Sequence, residues 1–397
     1  MTELLSLFNK IRRLEIITPQ GQAGLLSKES NFVFNYGLNA ETETAVSLVM
    51  PVRQQSYCSG ELMGIFSMNR PEGYLRYMVE ERLKRLGAPS DMFLLYLAGA
   101  HQIGRLNYAL DGQIAPKEKG ETLQTLLQSS STDLFIYLVD KYALTSGISG
   151  VQPKTLVPLA QALPAGHSSL ALDTVIVKAE GQDYVGIARN EYLCLSVAKQ
   201  AGFSVPDFWL SDDGLLLVMS RFDRKADGSA LGFEDMAVLT GRNTARKYEG
   251  SYEMIAKAVA IFTSEYSHIE LQRLFERVAL SCKLGDGDAH LKNIGLLYEQ
   301  PSARRQLAPI YDVVCTNIYP ELDGQLALKL NKKKSFPNEA ELIAYGLRLG
   351  LEQQTAQQIL KRIDQAFDVV CERLAQDARY TEDGLLLRIK QAVYALR

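Results

Sequence analysis

The sequence of 397 residues predicts an α+β fold with two lobes. Short strand patterns occupy residues 14–50, strands and helices share the region before about residue 225, and helical patterns prevail after it. With 47% hydrophobic and 22% charged residues, the composition is ordinary for a globular protein, and the length suits two or three domains or lobes. A doubly wound α/β sheet would need regular alternation of strands and helices, which the C-terminal half lacks.

The first segment, which we assign to residues 1–112, is predicted to be a small β-rich subdomain followed by helices. Strands are expected at 14–17 and 31–35, where apolar and β-favouring residues flank a Pro-Gln-Gly turn at 19–21. The apolar residues of 74–86 recur at helical spacing, and Gly87 stops the pattern.

The second segment, residues 113–224, is predicted to be the mixed first lobe. A helical stretch at 120–144 precedes a glycine-punctuated loop at 146–157 that runs into a strand. Further strands are expected at 173–179 and 214–219, with a helix at 190–200 between them. The third segment, residues 225–397, is predicted to be mainly helical, with long helices at 352–376 and 384–396.

The most informative motif is the run at 285–293, Gly-Asp-Gly-Asp-Ala-His-Leu-Lys-Asn, which is followed by Tyr311 and Asp312. Phosphoryl transfer needs a carboxylate that orients a hydroxyl and oxygen ligands for Mg²⁺ beside it. Asp288 is the candidate for the carboxylate, and Asn293 and Asp312 are the candidate metal ligands. Gly-Asp-Gly-Asp is also good turn composition, so a solvated turn is the alternative, and capping this turn is the favoured role for Asp286.

Several more positions fit the same chemistry. Lys178 ends an apolar strand, from which a fixed positive charge could contact phosphates, and Glu191 on the following helix could hold it in an ion pair. His290 is expected to orient the acid loop or contact phosphate, or else to be a structural histidine, and Lys292 could neutralise phosphate or face solvent. Residues 220–224, which follow a strand, would form the hinge of a two-lobed kinase.

The loop with Gly147 and Gly150 could wrap phosphates with its backbone N–H groups. It matches neither the Walker A pattern nor the glycine-rich loop of protein kinases, so alone it indicates little. The net charge of −3 gives no overall basic field for direct binding of nucleic acid. Five widely spaced cysteines without zinc spacing, together with the lack of a long apolar run, suggest reduced thiols, a cytoplasmic location and no membrane span.

Taken together, these motifs resemble the HipA family of bacterial serine/threonine kinase toxins, over nearly the whole chain. The resemblance is carried by the segments 48–51, 70–73, 149–155, 190–192, 205–207, 221–224, 288–293 and 311–314. It implies a two-lobed, protein-kinase-like (HipA-like) fold that uses ATP and Mg²⁺. Asp288 would then be catalytic, Asn293 and Asp312 would hold the metal, and Glu191 would pair with Lys178. The residues implied to contact ATP are Ser149, Gly150, Val151, Gln152, Pro153, Lys154, Lys178, Ser220, Arg221, Phe222, His290, Leu291, Lys292, Asn293, Tyr311 and Asp312.

The resemblance also implies partners and regulation. Family members pair with a small helix-turn-helix antitoxin, through which alone they reach DNA, and known targets are aminoacyl-tRNA synthetases. Where the family often has a regulatory serine, this sequence has Gly147, so autophosphorylation is expected on Ser149 and secondarily on Ser146. A phosphate there would oppose the phosphates of ATP and switch the enzyme off.

Two other functions stay open at the level of sequence. One is a small-molecule phosphotransferase of similar fold, with a substrate pocket in the helical half. The other is a catalytically silent protein that helps an antitoxin to repress transcription. This second alternative is disfavoured by the intact set of Lys178, Asp288, Asn293 and Asp312.

Overall fold

The computed structural model describes residues 7–99, 102–114, 120–142, 148, 152–160, 174–181, 183–225 and 227–397. Within these ranges the chain has the predicted α+β fold, with a β-rich N-terminal subdomain, a mixed lobe and a mainly helical lobe. Their buried apolar side chains form one continuous core. All five cysteines are free, and four are buried as expected, whereas Cys58 is exposed. None of the helices in the described ranges has both the length and the apolar composition that a membrane crossing requires.

The N-terminal subdomain is built on a six-stranded antiparallel sheet with strand order β4-β3-β2-β1-β5-β6. Apolar side chains alternate with polar ones in β1, so that one face of the sheet is buried against the core. The strands are β1 Arg13–Thr18, β2 Gly21–Lys28, β3 Phe32–Tyr36, β4 Tyr57–Ser59, β5 Asn107–Leu110 and β6 Gln113–Ile114, and the helices are α1 Gly64–Ser67, α2 Gly73–Leu83 and α3 Asp91–Ala98.

The mixed lobe contains a four-stranded sheet with strand order β7-β8-β10-β9, in which each neighbouring pair is antiparallel. The pairing of β7 with β8 sets Lys154 directly opposite Lys178, so two lysines share one region of the sheet. The elements of this lobe are α4 Leu123–Gln128, α5 Ser131–Tyr142, β7 Lys154–Pro158, β8 Thr174–Ala179, α6 Ile187–Gln200, β9 Phe208–Leu210 and β10 Leu216–Ser220.

The second lobe is mainly helical, but it also contains a three-stranded antiparallel sheet that the sequence analysis did not predict. Its strands have four, four and two residues and are nearly all buried, so they show no alternation of apolar and polar residues. The strands are β11 Gly232–Asp235, β12 Gly295–Tyr298 and β13 Gln306–Leu307. The helices are α7 Met236–Leu239, α8 Tyr252–Thr263, α9 Ser267–Leu284, α10 Glu339–Arg348, α11 Gln353–Leu374 and α12 Leu385–Tyr394.

The loop at 285–293 is placed by the end of α9 on one side and by β12 on the other. Gly285 caps α9 with φ of +69°, a left-handed conformation that glycine adopts without steric cost. A Cβ atom on Gly287 would lie only 2.4 Å from the main-chain oxygen of Gln325. Both glycines are therefore needed for the loop to pack closely against residues 316–325 and to face the neighbouring lobe.

Candidate functional site

A cleft of about 1740 Å³ lies where the subdomain and the two lobes meet. Its walls include Lys154 and Lys178 from the mixed lobe, Phe222 from the hinge region, and Asp288 and Asp312 from the helical lobe. The structure thus brings residues that lie far apart in the sequence into one cavity, which is large enough for a nucleotide and part of a second substrate.

Lys178 lies at the centre of a buried charge cluster. Its Nζ atom is 2.5 Å from Glu191 Oε1 and also donates a hydrogen bond to Asp312 Oδ1. Lys154 Nζ lies 3.7 Å from the other carboxylate oxygen of Asp312. The side chains of Lys178 and Glu191 are only 1% and 0% exposed, so water screens their interaction little. Strand β8 and helix α6 therefore hold the lysine in one position.

The ionisation of this cluster follows from its geometry. Burial opposes the charged form of Asp312, but the positive charges of Lys154 and Lys178 hold the pKa of its carboxyl well below the usual range. Burial also works against the charged form of Lys178, yet the carboxylates of Asp312 and Glu191 raise its pKa. For Lys154, burial dominates and lowers the pKa. Asp312 is thus an anion throughout the physiological pH range, as a metal ligand must be.

Asn293 and Asp312 meet at the cleft in a way that suits a hard metal ion. Asn293 Nδ2 lies 3.4 Å from the main-chain oxygen of Asp312, whereas its Oδ1 is buried and has no hydrogen-bond partner among the described residues. Such an orphaned oxygen carries a cost unless a ligand satisfies it. Asp312 has φ of +49°, an uncommon conformation for a residue other than glycine. The amide and carboxylate oxygens are ligands that Mg²⁺ prefers.

The protein offers only part of a metal coordination shell at this point. Among the described residues, no group of three or more His, Cys, Asp and Glu side chains is arranged to hold a metal ion. Mg²⁺ commonly takes one or two protein oxygens and completes its shell with phosphate oxygens and water. The residues present therefore fit a metal that arrives together with a phosphate-bearing substrate.

Asp288 stands at the solvent-accessible part of the same cleft. Its Oδ1 accepts a hydrogen bond of 2.8 Å from Tyr248 Oη, and its main-chain N–H donates to Asp286 Oδ1 at 3.1 Å. The cleft walls displace water and so raise the pKa of Asp288, although the hydrogen bond from Tyr248 and the charge of Lys247 offset part of this rise. The carboxylate is held on one side and open on the other.

Asp286 has a different environment from Asp288. It is buried, and its Oδ2 accepts a hydrogen bond of 2.9 Å from Ser281 Oγ, while its Oδ1 accepts the one from Asp288 N–H. Burial raises the pKa of Asp286 to about 7, with the nearby charge of Arg277 acting against this rise. These contacts tie the end of α9 to the acid loop, which is the turn-capping role that the sequence favoured.

The rest of the acid loop contributes fixed, mostly buried groups. His290 is buried, and the loss of hydration together with the positive charge of Lys247 lowers its pKa to about 3, so the imidazole is neutral. Leu291 is completely buried, and its main-chain N–H donates to the main-chain oxygen of Lys247. Lys292 does not face solvent, because its side chain is only 10% exposed. Its Nζ atom lies 2.8 Å from Glu72 Oε2.

The residues predicted to form the hinge differ in what they contact. Phe222 lines the cleft and stacks on Tyr311 with a centroid distance of 4.9 Å, which provides an apolar wall. The guanidinium of Arg221 instead pairs with Asp223 and donates to the main-chain oxygen of Gln102. Ser220 Oγ accepts a hydrogen bond from the main-chain N–H of Asp207. Neither Ser220 nor Arg221 is among the described residues that line the cleft.

Part of the predicted phosphate loop lies outside the described residues, namely Ser146, Gly147, Ser149, Gly150 and Val151. Gln152, Pro153 and Lys154 are described, and all three line the cleft. Within the part of the chain that the structure describes, the Nε2 atom of Gln152 is buried without a hydrogen-bond partner. This donor is available to a phosphate or another acceptor in the cleft.

Three residues that contact the site were missed by the sequence analysis. Tyr248 contacts Asp288, Glu72 pairs with Lys292, and Arg277 Nη2 donates a hydrogen bond of 3.2 Å to the main-chain oxygen of Asp312. Tyr248 and Arg277 lie in segments without any catalytic motif. Glu72 belongs to the segment 70–73, whose resemblance to a known family was the only available signal.

Comparisons with known proteins show which family this chain resembles. The family described as HipA-like C-terminal domain matches residues 146–370, and the HipA N-terminal domain matches residues 14–109. A relative from Sinorhizobium fredii (strain NGR234), named "Putative kinase Y4dM", is 34% identical over 175 residues, which are 40% of this chain and 41% of the relative. A Haemophilus influenzae protein named "Putative kinase" is 31% identical over 203 residues, 46% of this chain and 56% of that protein. The chain thus spans about half the length of these curated relatives.

The fold itself has a solved counterpart. HipA of Shewanella oneidensis MR-1, determined in a complex with HipB and its operator DNA, aligns with a TM-score of 0.66 and 19% identity. The alignment covers 96% of this chain and 95% of that one, so the two proteins share their whole architecture. Because the C-terminal domain model alone matches more than half of the chain, this protein belongs to the HipA family.

Proposed function

We propose that this protein is an ATP- and magnesium-dependent serine/threonine protein kinase that acts as the toxin of a toxin–antitoxin pair. The observation that carries the proposal is the shared cleft of Lys178, Asp288, Asn293 and Asp312. These residue types are the minimum that phosphoryl transfer needs: a cation for phosphate oxygens, two metal ligands and a carboxylate for the acceptor hydroxyl. The family membership supports the same conclusion.

ATP would supply the transferable phosphoryl group, and Mg²⁺ would neutralise part of its charge. Lys178, fixed by Glu191, and Lys154, opposite it in the sheet, would then attract the phosphate oxygens. Asn293 Oδ1 and the carboxylate of Asp312 would hold the metal, which also satisfies the orphaned amide oxygen. The stacked rings of Phe222 and Tyr311 provide an apolar wall that suits an adenine ring.

Asp288 would orient the hydroxyl of a serine or threonine and accept its proton as phosphoryl transfer proceeds. The hydrogen bond from Tyr248 fixes one oxygen and leaves the other free for the acceptor. The loss of hydration that raises the pKa of Asp288 makes it a better base than a free carboxylate. His290 is neutral, and no described residue is a partner for its Nδ1, so we give it a positioning role in the loop rather than a role as the base.

The proposed partners come from the family. The solved relative was crystallised with HipB and operator DNA, so we propose a small DNA-binding antitoxin for this protein, with DNA reached only through that antitoxin. The substrate is proposed to be a protein, with an aminoacyl-tRNA synthetase as the class that the resemblance implies. A toxin of this kind would arrest growth by blocking translation.

A comparison of phosphoproteomes tests the proposal. Cells that express the wild-type chain are compared with cells that express the Asp288→Gln variant at equal soluble level. We expect at least one protein to gain a phosphoserine or phosphothreonine in the wild-type cells alone, accompanied by growth arrest. Growth arrest of equal strength with the Asp288→Gln variant, without any difference in phosphorylation, would contradict the proposal.

A further inference from the structure

Glu72 is a residue of the N-terminal subdomain that reaches into the cleft of the two lobes. It lies at the start of α2, yet its side chain does not cap that helix. Instead, Oε2 accepts a hydrogen bond of 2.8 Å from Lys292 Nζ, and Oε1 accepts one of 2.8 Å from Thr244 Oγ1. The short side chains of Ser, Thr, Asp and Asn commonly bond the first N–H groups of the helix from this position, a role that Glu72 does not take. Here both oxygens are used for contacts with another lobe.

The ion pair of Glu72 with Lys292 is largely shielded from water. The exposed fractions of the two side chains are 13% and 10%. Burial raises the pKa of the neighbouring Asp235; the charge of Lys292 acts against this rise and the charge of Glu72 adds to it, so Asp235 interacts with both members of the pair. A surface ion pair would contribute little, whereas a shielded pair constrains both side chains strongly. Lys292 is therefore fixed at its charged end.

Lys292 is also fixed at its main chain, next to a proposed metal ligand. Tyr311 Oη donates a hydrogen bond of 2.9 Å to the main-chain oxygen of Lys292. The following residue is Asn293, whose orphaned Oδ1 faces the metal position in our proposal. A lysine that is held at both ends restricts the orientation of its neighbour, so Glu72 acts on Asn293 through Lys292.

Glu72 also contacts the segment that supports Asp288. Thr244 begins the short 3-10 helix Thr244–Arg246, which leads directly to Lys247 and Tyr248. The main-chain oxygen of Lys247 accepts the N–H of Leu291 in the acid loop, and Tyr248 Oη donates to Asp288. The carboxylate of Glu72 thus contacts the acid loop itself at Lys292 and, at Thr244, the segment that supports this loop.

We infer that Glu72 is a positioning residue of the active site, so that the N-terminal subdomain completes the catalytic centre. This inference rests on the proposed kinase function for its kinetic consequences, but not for its structural ones. Removing the charge of Glu72 releases Lys292, and the acid loop then samples conformations in which Asn293 and Asp288 are misplaced. Small misplacements of catalytic groups lower the rate of the chemical step strongly.

The test uses the full chain with the substitution Glu72→Gln, which keeps the shape and removes the charge. Glu80→Gln is the matched control, because Glu80 lies on the same helix α2 and pairs with Arg76 at 2.7 Å outside the cleft. Turnover of ATP with Mg²⁺ is measured as loss of the γ-phosphate to protein or water. We expect kcat to fall by about tenfold or more for Glu72→Gln, with KM for ATP changed less than about twofold. Glu72→Asp should recover part of the loss, and Glu80→Gln should match the wild type.

A second measurement does not depend on activity. Hydrogen exchange of the amides of residues 288–293, followed by mass spectrometry, should become about tenfold faster in Glu72→Gln and unchanged in Glu80→Gln. Unchanged exchange of these amides in Glu72→Gln would overturn the inference, as would unchanged kcat in an active enzyme. If the wild type turns over no ATP, the exchange result still decides the inference, and only the proposed function is contradicted.

Discussion

Substitutions in the buried pair of Lys178 and Glu191 are expected to change the stability and the activity of the protein independently. Replacing Lys178 by methionine leaves the carboxylate of Glu191, which is 0% exposed, without its partner at 2.5 Å. Removal of one partner from a buried ion pair typically costs about 3–5 kcal/mol, because the remaining charge is uncompensated. Asp312 suffers less, since Lys154 lies 3.7 Å from its carboxylate. We therefore expect the Lys178→Met variant to lose about 4 kcal/mol of unfolding free energy.

The double variant Lys178→Met/Glu191→Leu supplies the control. It replaces the pair by two apolar side chains of similar volume, an exchange that is often neutral or stabilising in protein interiors. We expect it to unfold within about 1 kcal/mol of the wild type while phosphotransfer stays reduced by about a hundredfold or more, because no cation is left at this position for the phosphate oxygens.

Urea denaturation followed by tryptophan fluorescence measures the free energy of unfolding of these variants. Trp209 is the only tryptophan of the chain, and it lies in β9, two strands away from Lys178 in the same sheet. Phosphotransfer from ATP is measured on the same preparations. A double variant that is no more stable than Lys178→Met would refute the account of an uncompensated buried charge. A double variant with wild-type activity would refute the role of Lys178 at the phosphates.

Three further predictions concern the acid loop. Asp288→Asn should lower the rate of phosphotransfer by about 10²–10⁴-fold, with unfolding free energy within about 1 kcal/mol of wild type, because the side chain is open to solvent on one side; a variant that keeps more than a tenth of the activity would contradict its role. Asn293→Ala should raise the Mg²⁺ concentration for half-maximal activity by about tenfold, measured at saturating ATP, and an unchanged requirement would exclude Asn293 as a ligand. His290 has its folded-state pKa lowered from 6.5 to about 3, so the folded protein resists its protonation. The stabilisation of the folded state that depends on neutral His290 is complete above pH 6.5 and is lost as the pH falls towards 3. The free energy of unfolding therefore decreases by about 2 kcal/mol between pH 6.5 and pH 5. Denaturation curves of His290→Gln should show a smaller loss than wild type over this interval, and equal losses would contradict the burial effect.

Local patterns in the sequence were sufficient for the elements with the strongest patterns. The helix expected at 352–376 is observed as Gln353–Leu374, and the strand expected at 173–179 is Thr174–Ala179. Both have strong periodicity or a continuous apolar run, which depends little on distant contacts. The small sheet of β11, β12 and β13 was missed because its short strands are buried on all sides and carry no alternation.

The candidate site was predicted from the types and order of its residues. Asp288, Asn293 and Asp312 lie close together in the sequence. Lys178 and Glu191 lie on a strand and the helix that follows it. The groups that phosphoryl transfer requires, taken in this order, were therefore enough to select these residues. The domain limits at 112 and 224 remain a prediction, although the sheet of the subdomain continues into β6, just beyond residue 112.

Long-range contacts could not be predicted in this way. Glu72 and Lys292 are separated by 220 positions, and no periodicity or motif spacing links them. Arg221 was expected to contact ATP as part of the hinge, but no pattern predicted that its side chain would pair with Asp223 and contact Gln102. Such partners depend on how the subdomain packs against the lobes, which is a tertiary property.

The central claim is that this cleft transfers phosphate from ATP to a protein hydroxyl with Asp288 as the essential carboxylate. The most direct test incubates the purified chain with γ-³²P-labelled ATP, Mg²⁺ and heat-inactivated, phosphatase-treated cell extract, and identifies labelled residues by mass spectrometry. We predict label on serine or threonine of at least one protein, which is lost with Asp288→Asn and with EDTA. Label that persists in the Asp288→Asn variant would contradict this claim. So would the absence of label with the folded wild type, in extracts both with and without the cognate antitoxin.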